Sequence, residues 1–222
     1  MPVGRHISLR AEIGESKVIR AYTPTTLIDN KGYFDLLIKS YEFGKLSTYL
    51  HSLKPGDCVD IRGPVGRFKY EKNKYSCIGL IAGGTGLTPC LQVIRAVLLA
   101  PDYRDDQTDF VLFYQNRTEA DILLHSELKD LSTKYPHRLQ IFYFLTNAQS
   151  AQFGVVKRDK RRNSGASASK EFRGYITSDL VNAHLAPDIC PFVCICGPSG
   201  FNDFTKSLAL SAGHTEETVY IW

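Results

Sequence analysis

The stretch Leu80-Ile-Ala-Gly-Gly-Thr-Gly-Leu-Thr-Pro-Cys90 constrains this chain more than any other. It reads as a buried strand that runs into glycines and then into a helix whose start is fixed by Pro89. Glycine lets the backbone approach a ligand closely, and the free N–H groups of a helix N-terminus attract phosphate. In an open α/β sheet such a turn lies at the carboxyl end of a strand, where ligands bind. The pattern is neither Gly-x-Gly-x-x-Gly nor a P-loop, because no Gly-Lys-Ser/Thr follows. Glycine turns between a strand and a helix are common, so the turn by itself is compatible with a phosphate-bearing ligand and gains weight only beside the other motifs.

The flanking sequence fits. From Ser76 onward, strand patterns (Ser76–Ala82, Phe110–Tyr114, Leu139–Leu145, Pro191–Cys196, Thr218–Trp222) alternate with helix patterns (Thr88–Ala100, Asp121–Tyr135, Ser178–His184, Gly200–Ala212). That alternation predicts crossover helices on a parallel sheet. The first 70 or so residues differ. Strand patterns at Val18–Thr26, Tyr33–Tyr41 and Cys58–Arg62 are divided by Asp29-Asn-Lys-Gly32, a short helix at Lys45–Ser52 and Lys54-Pro-Gly-Asp57, an antiparallel, barrel-like order. The polar run Tyr70–Lys74 divides the two, giving domains 1–74 and 75–222.

Composition narrows the class. With 43% hydrophobic and 23% charged residues the chain is ordinary globular material. No apolar run approaches the roughly 20 residues of a membrane span, and the N-terminus lacks a signal-peptide core. A cytoplasmic protein is expected, peripheral at any membrane that carries its partner. Lys157–Arg173 holds seven basic and two acidic residues, more than the whole net charge of +4. With its Asn-Ser-Gly-Ala-Ser-Ala-Ser core it reads as a solvated loop, and without interleaved aromatics it gives no nucleic-acid platform. The six cysteines are too few and irregular for a secreted disulfide framework; Cys190, Cys194 and Cys196 read as small core thiols. No metal site is expected from them or from the scattered histidines.

Three further motifs carry chemistry. Arg20, Ala21, Tyr22 and Thr23 precede a proline; in a strand, Arg20 and Tyr22 share a face, one offering a fork to phosphate and the other a flat ring. An ordinary exposed face would look the same. Gly44-Lys-Leu-Ser47 opens the small helix, a second N-terminus suited to a pyrophosphate, and Cys196-Gly-Pro198 ends a strand in a tight turn.

Taken in order, these motifs resemble the NADH–cytochrome b5 reductase branch of the ferredoxin–NADP reductase superfamily. Arg20-x-Tyr22-Thr23 matches its flavin motif and Gly44–Ser47 its Gly-x-Met/Leu-Ser turn; Gly83–Pro89 and Cys196–Pro198 match its nicotinamide-domain motifs. The resemblance implies an all-β FAD-binding barrel, incomplete at its N-terminus, followed by an α/β nicotinamide-binding domain. It implies a reductase moving electrons from NADH through FAD to cytochrome b5 or a similar small acceptor. Arg20 with Ala21 would hold the FAD pyrophosphate, Tyr22 would lie on the isoalloxazine and Thr23 near its reactive edge. Leu37 and Lys39 would line the flavin and nicotinamide side. Lys45, Leu46 and Ser47 would cap the FAD phosphates, and Thr88 would reach the flavin from the second domain. Gly83, Gly84, Thr85 and Gly86 would receive the dinucleotide, with Cys196 and Pro198 beside the nicotinamide. Tyr22, Thr23, Lys39 and Cys196 are the residues expected nearest the chemistry.

The chain departs from that pattern in three places. It starts within the flavin domain, which keeps open a shortened relative that holds a dinucleotide fold without flavin. Thr146-Asn147 stands where the family has an aspartate that repels the 2′-phosphate of NADPH, so NADPH use is expected beside NADH. Ser199-Gly-Phe201 follows Cys-Gly-Pro in place of further prolines and a methionine, and the sole tryptophan is the last residue, Trp222.

Overall fold

The computed structural model describes residues 1–41, 43–147 and 169–222. Two sheets organise them. Strands β1 (His6–Ile13), β2 (Ser16–Tyr22) and β3 (Asp60–Val65) form an antiparallel sheet in the order β2-β1-β3. Ile7, Leu9 and Ala11 alternate inward along β1 and pack with Leu46 of helix α1 (Lys45–Ser52). Among the described residues this sheet stays open: β2 and β3 are its edges, and no barrel closes.

The second sheet is wholly parallel, in the order β7-β6-β5-β4-β8-β9. Its strands are β4 (Cys77–Gly83), β5 (Asp109–Asn116), β6 (Leu139–Leu145), β7 (Ser169–Arg173), β8 (Phe192–Cys196) and β9 (Val219–Ile221). Every residue of β4 is buried, as a central strand covered on both faces requires. Ile78, Leu80 and Ala82 face helices α2 (Leu87–Leu99) and α3 (His125–Lys134); Cys77 and Ile81 face α4 (Ser178–His184) and α5 (Ser199–Ser211). Burying side chains of this size contributes about 1.5–3 kcal/mol each, so the sheet's two faces carry most of the hydrophobic stabilisation.

Four expectations change. The strand expected at Tyr33–Tyr41 is extended chain with one bridge, Pro24 to Leu36. It wraps α1 instead, where His51 Nε2 meets the Ile38 carbonyl at 3.1 Å. The central place is taken by β1, which pairs with both β2 and β3. The helix expected from Asp121 begins at His125, after a 3-10 turn at Glu119–Asp121 and a left-handed Leu124 (φ 54°). Ser169–Arg173, expected as the end of a solvated loop, is strand β7; Phe172 stacks on Phe142 and Phe144 with centroids 6.0 and 5.2 Å away. The rest of that basic loop, up to residue 168, lies outside the described residues. Cys190, expected as a free core thiol, is paired with Cys77, their Cα atoms 4.6 Å apart.

Candidate dinucleotide and flavin site

The glycine turn between β4 and α2 fits only because side chains are absent. A Cβ on Gly86 would lie 2.0 Å from the Cys196 carbonyl oxygen and 2.9 Å from the Gly197 nitrogen. The β4 turn is therefore closed directly onto the β8 turn, at the carboxyl edge of two neighbouring strands. A Cβ on Gly83 or Gly197 would instead meet the ring of Phe201, at 3.0 and 2.4 Å. Phe201 thus fills the space beside the two turns. Gly84 has φ +53° and open space around it, so only its backbone angle calls for glycine.

No side chain among the described residues caps α2, and the Leu87 N–H at its start turns back onto the Gly84 and Thr85 carbonyls. Such a terminus suits an anion. Thr88, expected to reach across to the flavin, donates its hydroxyl to the Thr85 carbonyl at 3.2 Å and so braces the turn itself. Burial pushes the Cys196 thiol up to about 12 and the Cys194 thiol well up, so both are neutral at ordinary pH. The Cys196 carbonyl borders Gly86, and Pro198 precedes the first turn of α5.

On the first sheet, Val18 and Tyr22 pack toward α1, which places Arg20 on that same face. Arg20 is exposed and donates to the carbonyl of its neighbour Ile19 at 2.8 Å. Ala21 lies on the opposite, outer face, opposite Ser8. Thr23 is buried at the strand exit. Burial raises the Tyr22 phenol, more than the nearby Arg20 lowers it, so its ring is neutral.

Helix α1 also opens on glycine: a Cβ on Gly44 would lie 2.3 Å from Ser47 Oγ. No described side chain caps this helix either. Ser47 Oγ donates to the Gly44 carbonyl at 3.0 Å and accepts from the Tyr41 N–H at 3.4 Å. Lys45 is exposed at the first turn, while the Leu46 side chain lies in the core, leaving only its N–H to face a ligand.

Leu37 is half-buried, and Lys39 two residues on crosses to the second sheet's loops, its Nζ 2.8 Å from Asp121 Oδ1. Asp121 Oδ2 meanwhile accepts from Thr118 N and Oγ1, at 3.2 and 2.8 Å. The Lys39 ammonium and then Thr118 hold the Asp121 carboxyl below the usual range. Sequence reasoning missed Asp121 as Lys39's partner; its signal was Thr-x-x-Asp, a capping-box pattern.

A cleft of about 470 Å³ opens beside the β5 and β6 exits, lined by Thr118, Glu119, Leu145, Asn147, Glu171 and Arg173. Thr146 N donates to the Asn116 carbonyl at 3.0 Å and Asn147 N to that of Arg117 at 2.8 Å, so the two exits are laced together. Glu171 brings a carboxylate that the local sequence Thr146-Asn147 lacks. Trp222 packs its ring on Phe68, centroids 5.3 Å apart, and donates to the Gly4 carbonyl at 3.1 Å.

Two family models match: the oxidoreductase FAD-binding domain over residues 1–70 and the oxidoreductase NAD-binding domain over residues 80–207. The chain is 37% identical over 221 residues to NADH-cytochrome b5 reductase 1 of Dictyostelium discoideum, covering 99% of this chain and 70% of that protein. It is 41% identical over 201 residues to the protein of the same name from Mycosarcoma maydis, covering 89% and 55%. Among solved structures it resembles the cytochrome b5 reductase domain of Ulva prolifera nitrate reductase, with TM-score 0.82 and 31% identity, over all of this chain and 85% of the other. The ferredoxin-NADP+ reductase of Plasmodium falciparum shares the fold alone, with TM-score 0.70 and 18% identity over 100% and 83%.

Proposed function

This chain belongs to the family of NADH–cytochrome b5 reductases, and on that premise we propose that it carries electrons from NADH through FAD to cytochrome b5. The observation that carries the reading is the Gly86 turn, shut onto Cys196–Gly197 and ending at an uncapped helix. That same helix bonds to the backbone just after Tyr22 and Thr23. The two glycine-opened, uncapped helices fit two phosphate-bearing cofactors, and the exposed Arg20 fits one of them. When bound, the cofactors would supply the redox chemistry, taking two electrons from NADH and passing them to two ferric haems with release of one proton overall.

The chain's own residues bind and orient. Arg20 and Ala21, with Lys45 and the N–H groups of Leu46 and Ser47, hold the flavin's phosphates. Tyr22 and Thr23 present a neutral ring and a buried hydroxyl, and Leu37 and Lys39 border the space where the two cofactors meet. Gly83, Gly84, Thr85 and Gly86 receive the dinucleotide, Thr88 holds that turn in shape, and Cys196 and Pro198 form its far wall. Cys196, a neutral thiol, excludes water and moves no proton. Residues 1–74 form the flavin domain and 75–222 the nicotinamide domain, in a cytoplasmic protein peripheral to the membrane of its acceptor. Among the described residues no helix is long and apolar enough to cross a membrane.

Mixing the chain with FAD, NADH and ferric cytochrome b5 tests this. Two haems should be reduced per NADH, and NADH consumption that leaves the haem ferric would defeat the choice of acceptor. Glu171 and Glu119 both bring carboxylates to the cleft that Asn147 lines. NADPH should therefore be used measurably but less well than NADH. Glu171→Gln should move the ratio of specificity constants toward NADPH by roughly tenfold, the scale of one repulsive charge. An unchanged ratio would clear Glu171 of that role.

A further inference from the structure

Thr88, Gln92 and Arg95 lie along one face of α2, at helical spacing. Gln92 is only 2% exposed, and its amide is bonded to the backbone of the first domain. Its Oε1 accepts from the Gly4 N–H at 2.7 Å, and its Nε2 donates to the carbonyls of Arg5 at 3.3 Å and Pro24 at 3.4 Å. These backbone groups are the open end of the β1–β2 hairpin, because Ile7 stands opposite Tyr22 across it. One side chain thus ties both ends of the hairpin that carries Arg20, Ala21 and Tyr22. Arg95 continues the grip with a bond from Nη1 to the Thr25 carbonyl. Its Nε and Nη2 fork onto Glu127 of α3 at 2.6 and 2.5 Å, which fixes the guanidinium. Gly4 is held from its other side by the Trp222 indole N–H. It has no room for a side chain: φ is +76° and a Cβ would lie 2.0 Å from the Phe68 ring.

We propose that Gln92 and Arg95 are positioning residues for hydride transfer, fixing the flavin-side hairpin to the helix that begins at the dinucleotide turn. This rests on the reductase reading above. The helix is a rigid rod from Leu87 onward, so a slack joint at Gln92 lets the hairpin drift relative to Gly83–Gly86. A misplacement of about 1 Å between reacting groups lowers a rate by about 10²-fold. Core contacts alone would leave the distance to sliding of two smooth surfaces; directed bonds to four backbone groups do not.

Two variants test the idea. Gln92→Leu removes all three amide bonds, and Gln92→Glu keeps the volume while turning a carboxylate toward two carbonyl oxygens. In the FAD-loaded chain, well below the melting temperature, NADH-driven flavin bleaching should slow by about 10- to 10²-fold. The deuterium isotope effect from NADH labelled at the transferred position should rise, while KM for NADH stays within about threefold. In the cofactor-free chain, the Gly4 amide should lose protection against hydrogen exchange in Gln92→Leu. Bleaching at the wild-type rate with an unchanged isotope effect, or a loss that merely follows lost flavin, would overturn the proposal. If the wild-type chain itself never bleaches, the reductase reading fails. Gly4 exchange then still decides the joint, and unaltered protection in Gln92→Leu overturns it.

Discussion

Gly86→Ala should lower the melting temperature by about 6–12 °C, the equivalent of about 3 kcal/mol in a chain of this size, and should abolish most NADH-driven flavin bleaching. The sign is informative. Gly86 already has helical angles, φ −62° and ψ −4°, so on backbone grounds alone alanine would stabilise by about 0.4–1 kcal/mol. Any loss therefore reports the new methyl group against the Cys196 carbonyl, 2.0 Å away. That neighbour is backbone inside a parallel sheet, and no rotamer change relieves it. The β4 and β8 turns must separate, taking the uncapped end of α2 with them, and a shift of about 1 Å there lowers hydride transfer by about 10²-fold. Gly84→Ala is the control: nothing lies within 4 Å, so only its left-handed angle opposes the change, by roughly 1–2 kcal/mol. A Gly86→Ala chain that melts within about 2 °C of wild type and bleaches normally would show that the two turns are not packed as described.

Arg20→Met should leave the fold almost untouched and weaken FAD binding roughly 10- to 10²-fold, the worth of a charge-assisted bond of about 1.5–3 kcal/mol. The asymmetry comes from the structure. Arg20 is exposed and donates to the carbonyl of the preceding residue, an arrangement that contributes little to stability. Methionine keeps the stem that covers the sheet beside Val18 and Tyr22. Titration of the cofactor-free chain with FAD, alongside thermal melts, separates the effects. Equal affinity in the variant would remove Arg20 from the flavin site, and a large fall in melting temperature would recast it as a structural residue.

Where the chain's organisation was legible, local pattern coincided with burial. The continuous apolar run Cys77–Gly83 is a central parallel strand, buried throughout. The helices at Lys45–Ser52 and Ser178–His184 and the strand at Leu139–Leu145 have the expected bounds. Strand β1 escaped because Arg10 and Glu12 break its apolar look, although Ile7, Leu9 and Ala11 keep the alternation. Tyr33–Tyr41 looked equally strand-like but joins neither open edge of that sheet, β2 or β3, and makes only the Pro24–Leu36 bridge. Strand β7 was hidden inside a basic segment, and only Phe172, lying on Phe142 and Phe144, marks its inner face.

The site divides in the same way. Glycine turns and the Arg-x-Tyr-Thr motif are local and could be read directly. Asp121 beneath Lys39, Gln92 on Gly4 and Glu171 beside Asn147 each depend on residues 24 to 88 positions apart. No local pattern encodes such a meeting. The same distance in sequence hid Cys77 and Cys190 from each other, 113 residues apart.

Flavin binding and its bleaching put the central claim to the most direct test. The purified chain is mixed with FAD, freed of excess cofactor, and its visible absorbance is followed without oxygen as NADH is added. One flavin should bind per chain, and one equivalent of NADH should bleach it completely. A chain that stays colourless after FAD is supplied, or a bound flavin that NADH leaves oxidised, would contradict the claim.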